Sequence, residues 1–246
     1  MSDPAAVEFE HVFKAFGNRK ILDDVSFKVN VGEALCILGR SGTGKSVTLK
    51  LMIGLLKPDS GRVCIDLADI AHSNEEELSR VRRHMGFLFQ SAALFDSFTL
   101  GDNLALPLRR LDKSKSPSEI ERAVDEVLER VGLDLDKAKM PSELSGGMRK
   151  RAGLARALVL HPTLLLVDEP SSGLDRITAA EIDDLLLKVK EEYRATLVIV
   201  THDVRGARRV ADRIAVLDQG CLIGFGTAID LEKSDHDIVR RLVSEF

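Results

Sequence analysis

The run Gly39-Arg40-Ser41-Gly42-Thr43-Gly44-Lys45-Ser46 fills every fixed position of the phosphate-binding pattern G-x-x-x-x-G-K-[ST]. It stands between two apolar stretches of different kind. Ala34-Leu35-Cys36-Ile37-Leu38 reads as a buried strand, and Val47 to Leu56 reads as a buried helix. A strand that feeds a glycine-rich turn into a helix aims backbone N–H groups, and the positive end of the helix dipole, at one point. Glycines let that backbone come close to an anion. Lys45 offers a point charge to the β- and γ-phosphates, and the Ser46 hydroxyl is placed to ligate Mg²⁺. A glycine-rich turn with an incidental lysine is the alternative, and the flanking strand and helix weigh against it. The expectation is an α/β chain that binds a nucleoside triphosphate.

Composition excludes several other classes. With Lys plus Arg at 35 against Asp plus Glu at 39, the net charge of −4 gives no broadly basic surface for nucleic acid. The three cysteines, Cys36, Cys64 and Cys221, are widely spaced and outline neither a disulfide framework nor a zinc site, which suits a reducing compartment. Met1-Ser2-Asp3-Pro4 opens no basic and apolar leader, so no secretory signal is expected. No apolar run approaches the roughly 18 residues that cross a bilayer. Any membrane crossing falls to another chain.

Along the chain, Val7 and Phe9, then Val25, Phe27 and Val29, alternate at strand period. Lys57 to Gly61 reads as a turn and Arg62 to Asp66 as a strand. From about Ser91 to His161 the sequence turns mainly helical. Ser116, with Pro117 and Glu119, opens a helix with a capping box, Ile120, Val124, Val127, Leu128 and Val131 line one face, and Gly132 closes it. Then Thr163 to Asp168 reads as a strand. Ile177 to Glu191 reads as a helix with Ile182, Leu185, Leu186 and Val189 inward. Thr196 to Thr201, Arg213 to Leu217 and Cys221 to Phe225 read as strands.

Leu164-Leu165-Leu166-Val167 makes a buried strand that ends in two carboxylates, Asp168 and Glu169. In an open α/β sheet the ligand crevice lies at the carboxyl ends of the strands. Asp168 can then hold Mg²⁺ and Glu169 can orient or deprotonate the attacking water. Alone, such a strand end is as often structural; beside a complete phosphate loop it points to hydrolysis. Leu144-Ser145-Gly146-Gly147 opens a further helix, running from Met148 to Leu160, with Ser145 as N-cap and two glycines exposing N–H groups at its positive end. This is either a plain capped helix or a second anion site built without lysine, and the order of the motifs favours the second.

With these motifs in hand, the chain from about Val7 to Asp230 resembles the ATP-binding subunits of ABC transporters. The resemblance implies a P-loop NTPase (RecA-like) α/β core with an N-terminal antiparallel β-subdomain and an inserted α-helical subdomain. On this division residues 1–246 form a single ATPase domain, with the helical insertion at 91–161 and a C-terminal helical extension at 227–246. It assigns Gly39 to Ser46, with Val47 after it, to the Walker A motif and Gln90 to the Q-loop. Leu144 to Met148 become the signature, with Ser145, Gly146 and Gly147 facing the γ-phosphate of a partner chain. Asp168 and Glu169 become Walker B and the catalytic carboxylate, Ser172 to Asp175 the D-loop, and His202 the switch histidine. Ser46, Gln90 and Asp168 form the implied Mg²⁺ set, with ATP as the nucleotide, and Gln90 joins Glu169 and His202 in the implied catalytic set as a group that contacts the attacking water or senses the γ-phosphate. Read without the family, Gln90 and His202 are polar residues at strand ends and Phe16 is a core aromatic. Phe16 falls where the family carries an adenine-stacking ring, more commonly Tyr.

Two positions depart from the family pattern. Met148 stands where many relatives have Gln, and Gly173 stands where the D-loop usually has Ala. The strings Leu88 to Asp96 and Leu144 to Ala152 resemble ATPases of phospholipid transporters of the maintenance-of-lipid-asymmetry type. Asp175 to Ala179 is similar, with Arg176 in place of a frequent Pro. The resemblance implies a sandwich dimer with a second copy and integral-membrane permease subunits, at the cytoplasmic face of the inner membrane. It also implies a lipid-binding partner of the mammalian-cell-entry type. The apolar run from Ser91 to Leu108 is expected in part to pack into the helical subdomain and in part to receive a permease helix. The motor of an importer for a small polar nutrient shares every catalytic motif and stays open as an alternative. A non-transport ABC protein is the third reading, against the absence of a second cassette, long coiled coil or basic extension in this sequence.

Overall fold

The computed structural model describes residues 5–112 and 114–244. Met1 to Pro4, on which the expectation about a secretory signal rests, lie outside the described residues. Strands β1 (Ala5–Phe16) and β2 (Arg19–Asn30) form an antiparallel hairpin, and β3 (Ala34–Leu38) enters the centre of the molecule. β4 (Ser60–Ile65) and β5 (Ala68–Asp69) return to the hairpin. β6 (Met85–Leu88), β7 (Leu164–Asp168), β8 (Thr196–Thr201), β9 (Arg213–Asp218) and β10 (Cys221–Gly226) follow. They build two sheets, one in the order β2-β1-β4-β5 and one in the order β10-β9-β3-β8-β7-β6. The first is antiparallel throughout, and in the second only the β9–β10 hairpin is antiparallel.

Helix α1 (Lys45–Met52) follows β3, and α2 (Glu75–Arg82) precedes β6. α3 (Leu100–Leu111), α4 (Pro117–Arg130) and α5 (Gly146–Leu158) lie between β6 and β7. α6 (Arg176–Tyr193) and α7 (Val204–Val210) flank β8, and α8 (Ala228–Glu232) and α9 (Asp237–Ser244) follow β10. No helix among the described residues is long and apolar enough to cross a membrane.

The strand patterns explain the layers. β3 and β8 are buried along their whole length, as central parallel strands covered on both faces must be. Successive side chains serve opposite faces: Ala34, Cys36 and Leu38 join the core beneath the helices between β6 and β7, while Leu35 and Ile37 join the core beneath the antiparallel sheet. In the hairpin, Phe9 sits opposite Phe27 with stacked rings 4.7 Å apart, a cross-strand pair that pins the register.

Some element bounds differ from expectation. The helix after the phosphate loop begins at Lys45 and stops at Met52, four residues short of Leu56, because Gly54 turns the chain at φ +67° and leaves Leu55 exposed. The helix opened by Ser145 starts at Gly146 and stops at Leu158, short of Leu160, and His161 then takes φ +53°. Residues 91–99 form turns, so the helical stretch starts at Leu100. Leu185 is only half-buried while Ile182, Leu186 and Val189 are buried. The Ser116 capping box, with Pro117 at the first helical position and Gly132 at φ +65°, is as expected.

Candidate nucleotide-binding site

Strands β3, β8, β7 and β6 are neighbours and parallel, so their carboxyl ends emerge on one edge of the sheet. That edge carries the phosphate loop after β3, Gln90 after β6, Asp168 and Glu169 at the end of β7, and His202 after β8. Inside the loop Gly42 and Gly44 take φ +83° and +108°. A Cβ at Gly44 would stand 2.6 Å from a Leu22 methyl and 2.8 Å from the Ile21 carbonyl, so only glycine fits there. The Lys45 ammonium is buried and folded back over the loop, donating to the carbonyls of Gly39 at 2.7 Å and Arg40 at 3.1 Å. A cavity of about 240 Å³ opens over the loop, with Arg19, Ile21, Gly42, Gly44, Lys45 and Ser46 in its wall. Val47 also lines it, and Arg40 and Ser41 are exposed beside it.

Glu169 is the centre of the charge arrangement. One carboxylate oxygen lies 3.7 Å from Lys45 Nζ, and the other lies 2.7 Å from His202 Nδ1. Its backbone sits at φ +49°, a conformation a glutamate holds only under constraint, and its N–H donates to the Val200 carbonyl across the sheet. The Ser46 hydroxyl donates to Asp168 Oδ1 at 3.4 Å. Burial pushes the Asp168 carboxyl up, and the Ser46 hydrogen bond opposes that shift. A hydroxyl and a desolvated carboxylate side by side are hard oxygen donors that suit Mg²⁺. Among the described residues no group of three or more His, Cys, Asp or Glu could hold a metal ion, so the remaining ligands would come from phosphate and water. Gln90 is not aimed at this pair: its amide donates to Ser172 Oγ at 3.4 Å.

The signature turn lies elsewhere on the chain's own surface. Ser145 caps α5 by accepting from Met148 N at 3.2 Å, while Gly146 and Gly147 face Leu174 and Thr178; a Cβ at Gly147 would be 2.5 Å from the Thr178 methyl. None of these residues lines the cavity over the phosphate loop. Asp175 is the N-cap of α6, accepting from the N–H groups of Ile177 and Thr178, and the Thr178 hydroxyl holds its carboxyl below the usual carboxylate range. Phe16 closes β1, half exposed, with the Lys14 ammonium 5.6 Å from its ring centre.

Sequence reasoning missed three contributors. Arg19 reaches the cavity wall from β2, with its guanidinium 3.5 Å from where a Gly42 Cβ would be. Asn103, fully buried on α3, accepts from Phe95 N at 2.7 Å and donates to the carbonyls of Phe95, Phe98 and Thr99. Lys150, buried on α5, donates to the carbonyls of Gln90 and Glu169. Its neighbours Arg149 and Arg151 are also basic, so nothing in the sequence singles it out.

A loop of this geometry on parallel strands, with a carboxylate pair at the end of another strand of the same sheet, defines a nucleotide-hydrolysing cassette. The sequence pattern of the family described as ABC transporter matches residues 22–172. The chain belongs to the ABC transporter family and is an ABC-type ATPase. It is 46% identical over 239 residues to the mkl protein of Mycobacterium leprae (strain TN), by name a ribonucleotide transport ATP-binding protein, covering 97% of this chain and 69% of the relative. The mkl protein of Mycobacterium tuberculosis (strain ATCC 25618 / H37Rv) is likewise 46% identical, and the chain covers 66% of its length. The methionine import ATP-binding protein MetN of Corynebacterium diphtheriae is 38% identical over 243 residues, covering 97% of this chain and 71% of that one. Among solved structures, the cassette MJ0796 bound as a dimer to ADP and Pi matches with TM-score 0.83 and 34% identity over 90% of this chain and 98% of that one. The cbiO1 protein of Clostridium perfringens, part of the cbiONQ transporter complex, matches with TM-score 0.85 and 28% identity over 99% of this chain and 96% of that one.

Proposed function

We propose that this chain is the ATP-driven motor of a membrane transporter, acting as a pair of copies that close head to tail around two nucleotides. One observation carries the reading. Lys45, Ser46, Asp168, Glu169 and His202 converge on one sheet edge, while the Ser145–Gly147 turn, the second anion-binding helix terminus, packs on α6 and is absent from that cavity. A site so divided would be completed by the turn of a second copy, and a similar cassette, MJ0796, is a dimer when bound to ADP and Pi. Lys45 then binds the triphosphate, Ser46 and Asp168 would hold Mg²⁺ with Gln90 swinging in to the nucleotide, Glu169 activates water, and His202 contacts the γ-phosphate. Bound Mg²⁺ would neutralise charge on the phosphates. Phe16 stacks on the base, and Asp175 fixes the turn at the dimer seam. Permease subunits supply the membrane crossing and hold the pair peripherally at the cytoplasmic face of the inner membrane. Residues 91–161, carrying the signature, serve as the moving helical arm.

For the cargo we propose phospholipid or a related hydrophobic molecule, with a lipid-binding protein of the mammalian-cell-entry type as third partner. The support is local resemblance in Gln90-Ser91-Ala92-Ala93-Leu94-Phe95 and Gly146-Gly147-Met148-Arg149. A second reading, an importer of small polar solutes, is favoured by the names of the relatives, which speak of ribonucleotide and methionine. The test is to purify the complex around this chain. Co-purified phospholipid, with ATPase activity that responds to added lipid, supports the first reading. Turnover stimulated by a soluble receptor for a nucleotide or amino acid, with no lipid bound, supports the second.

A further inference from the structure

We propose that Lys150, Gly153 and Arg156 of α5 are positioning residues that set where Gln90 stands at the nucleotide. The proposal rests on the reading, given above, that Gln90 swings in to the bound nucleotide. The residues recur at three-residue spacing and so share one side of the helix, and each meets the segment that follows β6. Lys150 Nζ donates to the Gln90 carbonyl at 2.5 Å and to the Glu169 carbonyl at 2.8 Å. Arg156 donates to the carbonyls of Ala92, at 3.1 Å, and Ala93. Between them Gly153 lets the loop approach: a Cβ there would stand 2.8 Å from a Leu88 methyl, 2.9 Å from Ala92 Cβ and 3.1 Å from Ala92 Cα.

The loop itself needs such a hold. Ala92 and Ala93 take φ +61° and +49°, left-handed conformations that alanine adopts only where its surroundings impose them. The two cations are desolvated, and their hydrogen bonds go to backbone carbonyls. Apolar packing would hold a loop at lower desolvation cost. What directional bonds add is a defined backbone position and a defined direction for Gln90. Lys150 joins the carbonyl of Gln90 to that of Glu169, the residue read above as activating water, and it does so from the helix whose first turn is Ser145–Gly147. A tilt of α5 as the signature turn meets a partner's nucleotide is therefore transmitted to Gln90 of its own site. At the far end of the segment Asn103 holds residues 95–99 from α3, so displacement concentrates at residues 90–93.

The experiment is steady-state ATP hydrolysis by the full chain carrying Arg156→Met or Lys150→Met, each in the native sequence and on a Gln90→Ala background. Misplacing a positioned group lowers turnover without weakening ground-state binding. Arg156→Met is expected to lower kcat about tenfold with KM for ATP changed by less than about twofold, and Arg156→Lys to recover most of the loss. On Gln90→Ala the same change should cost less than about twofold, because no side chain is left to misplace. Equal losses in both backgrounds, or a rise in KM with kcat unchanged, overturn the proposal. If Arg156→Met does not fold, Gly153→Ala, which pushes on Ala92 without removing a charge, is measured in the same two backgrounds with the same criteria. Full turnover in Gln90→Ala alone would overturn the assignment of Gln90 itself, whereas additive losses overturn only the positioning.

Discussion

His202 Nδ1 lies 2.7 Å from Glu169 Oε2, across the ends of the adjacent parallel strands β8 and β7. The opposite oxygen of the same carboxylate faces Lys45 at 3.7 Å. Glu169 thus sits between the imidazole and the ammonium, the two groups assigned to the γ-phosphate. Replacing it with glutamine keeps the shape and removes the base. Turnover should fall by roughly 10²–10⁴-fold, with ATP bound at least as tightly because the anion beside Lys45 is gone. Nucleotide-binding and single-turnover measurements check this, and a matching loss of affinity would contradict it.

Lys45→Ala should act on binding instead. A charge-assisted contact to phosphate is worth roughly 1.5–3 kcal/mol, so affinity for ATP should drop by at least about tenfold. Calorimetric titration against the native chain is the check.

Ser145→Arg puts bulk and positive charge at the cap of α5, outside the cavity that holds Lys45. Hydrolysis should vanish while ATP binding persists. Mixing Ser145→Arg chains with Lys45→Ala chains gives pairs with one intact composite site, so the mixture should regain activity that neither variant has alone. No recovery in mixed pairs would count against two copies sharing a site.

Phe95 and Phe98 stand exposed with rings 5.6 Å apart, while Leu100, Leu104 and Leu108 of the same run are buried. Phe95→Asp or Phe98→Asp should leave the isolated chain folded and ATP-binding but uncouple transport in the assembled complex. Unfolding of the isolated variants would instead make these rings part of the core.

Asp183 gives a prediction about stability. Burial first, then the nearby Asp203 carboxylate, pushes its carboxyl up to about 6, while Arg209 opposes the shift. The folded state therefore holds this proton more tightly than the unfolded chain, whose aspartates titrate near ~3.9. Its contribution to stability is complete below that value and is lost as pH rises to about 6. Asp183→Asn should gain on the native chain between pH ~4 and ~7, by on the order of 1–3 kcal/mol or a few degrees in Tm. Thermal unfolding at several pH values decides it, and a difference that does not vary with pH would refute it.

The sequence displayed what repeats or alternates. The period-two pattern of Val7 and Phe9 against Val25, Phe27 and Val29, the capping box at Ser116, and the unbroken apolar runs before Gly39 and Asp168 each translate directly into the elements observed. Hidden from it were features created by tertiary approach. Gly54 ends α1 although the apolar pattern runs on, and a Cβ there would stand 2.7 Å from a Leu78 methyl, a contact made only in the folded chain. The partners of Lys150 and Asn103 are backbone carbonyls, which carry no side-chain signature at all. Gln90 is assigned through the family resemblance, and its link to Ser172 joins residues 82 positions apart and leaves no local trace.

The turn between β9 and β10 has a bearing on how the molecule is made. Gly220, at φ +84°, accepts from Asp23 N at 2.9 Å and lets the turn press on Ile21, while Gly39 lies so close to the Leu217 carbonyl that any side chain there would collide with it. Ala34 N likewise donates to Asp212, 178 positions further along the chain. The floor of the phosphate loop is thus supplied by residues synthesised long after the loop itself. At about 5–20 residues per second, a ribosome exposes Gly39 for roughly 10–35 s before Leu217 arrives. The nascent chain cannot hold nucleotide in its finished geometry during that interval, and a truncation before β9 leaves a complete motif without a working loop.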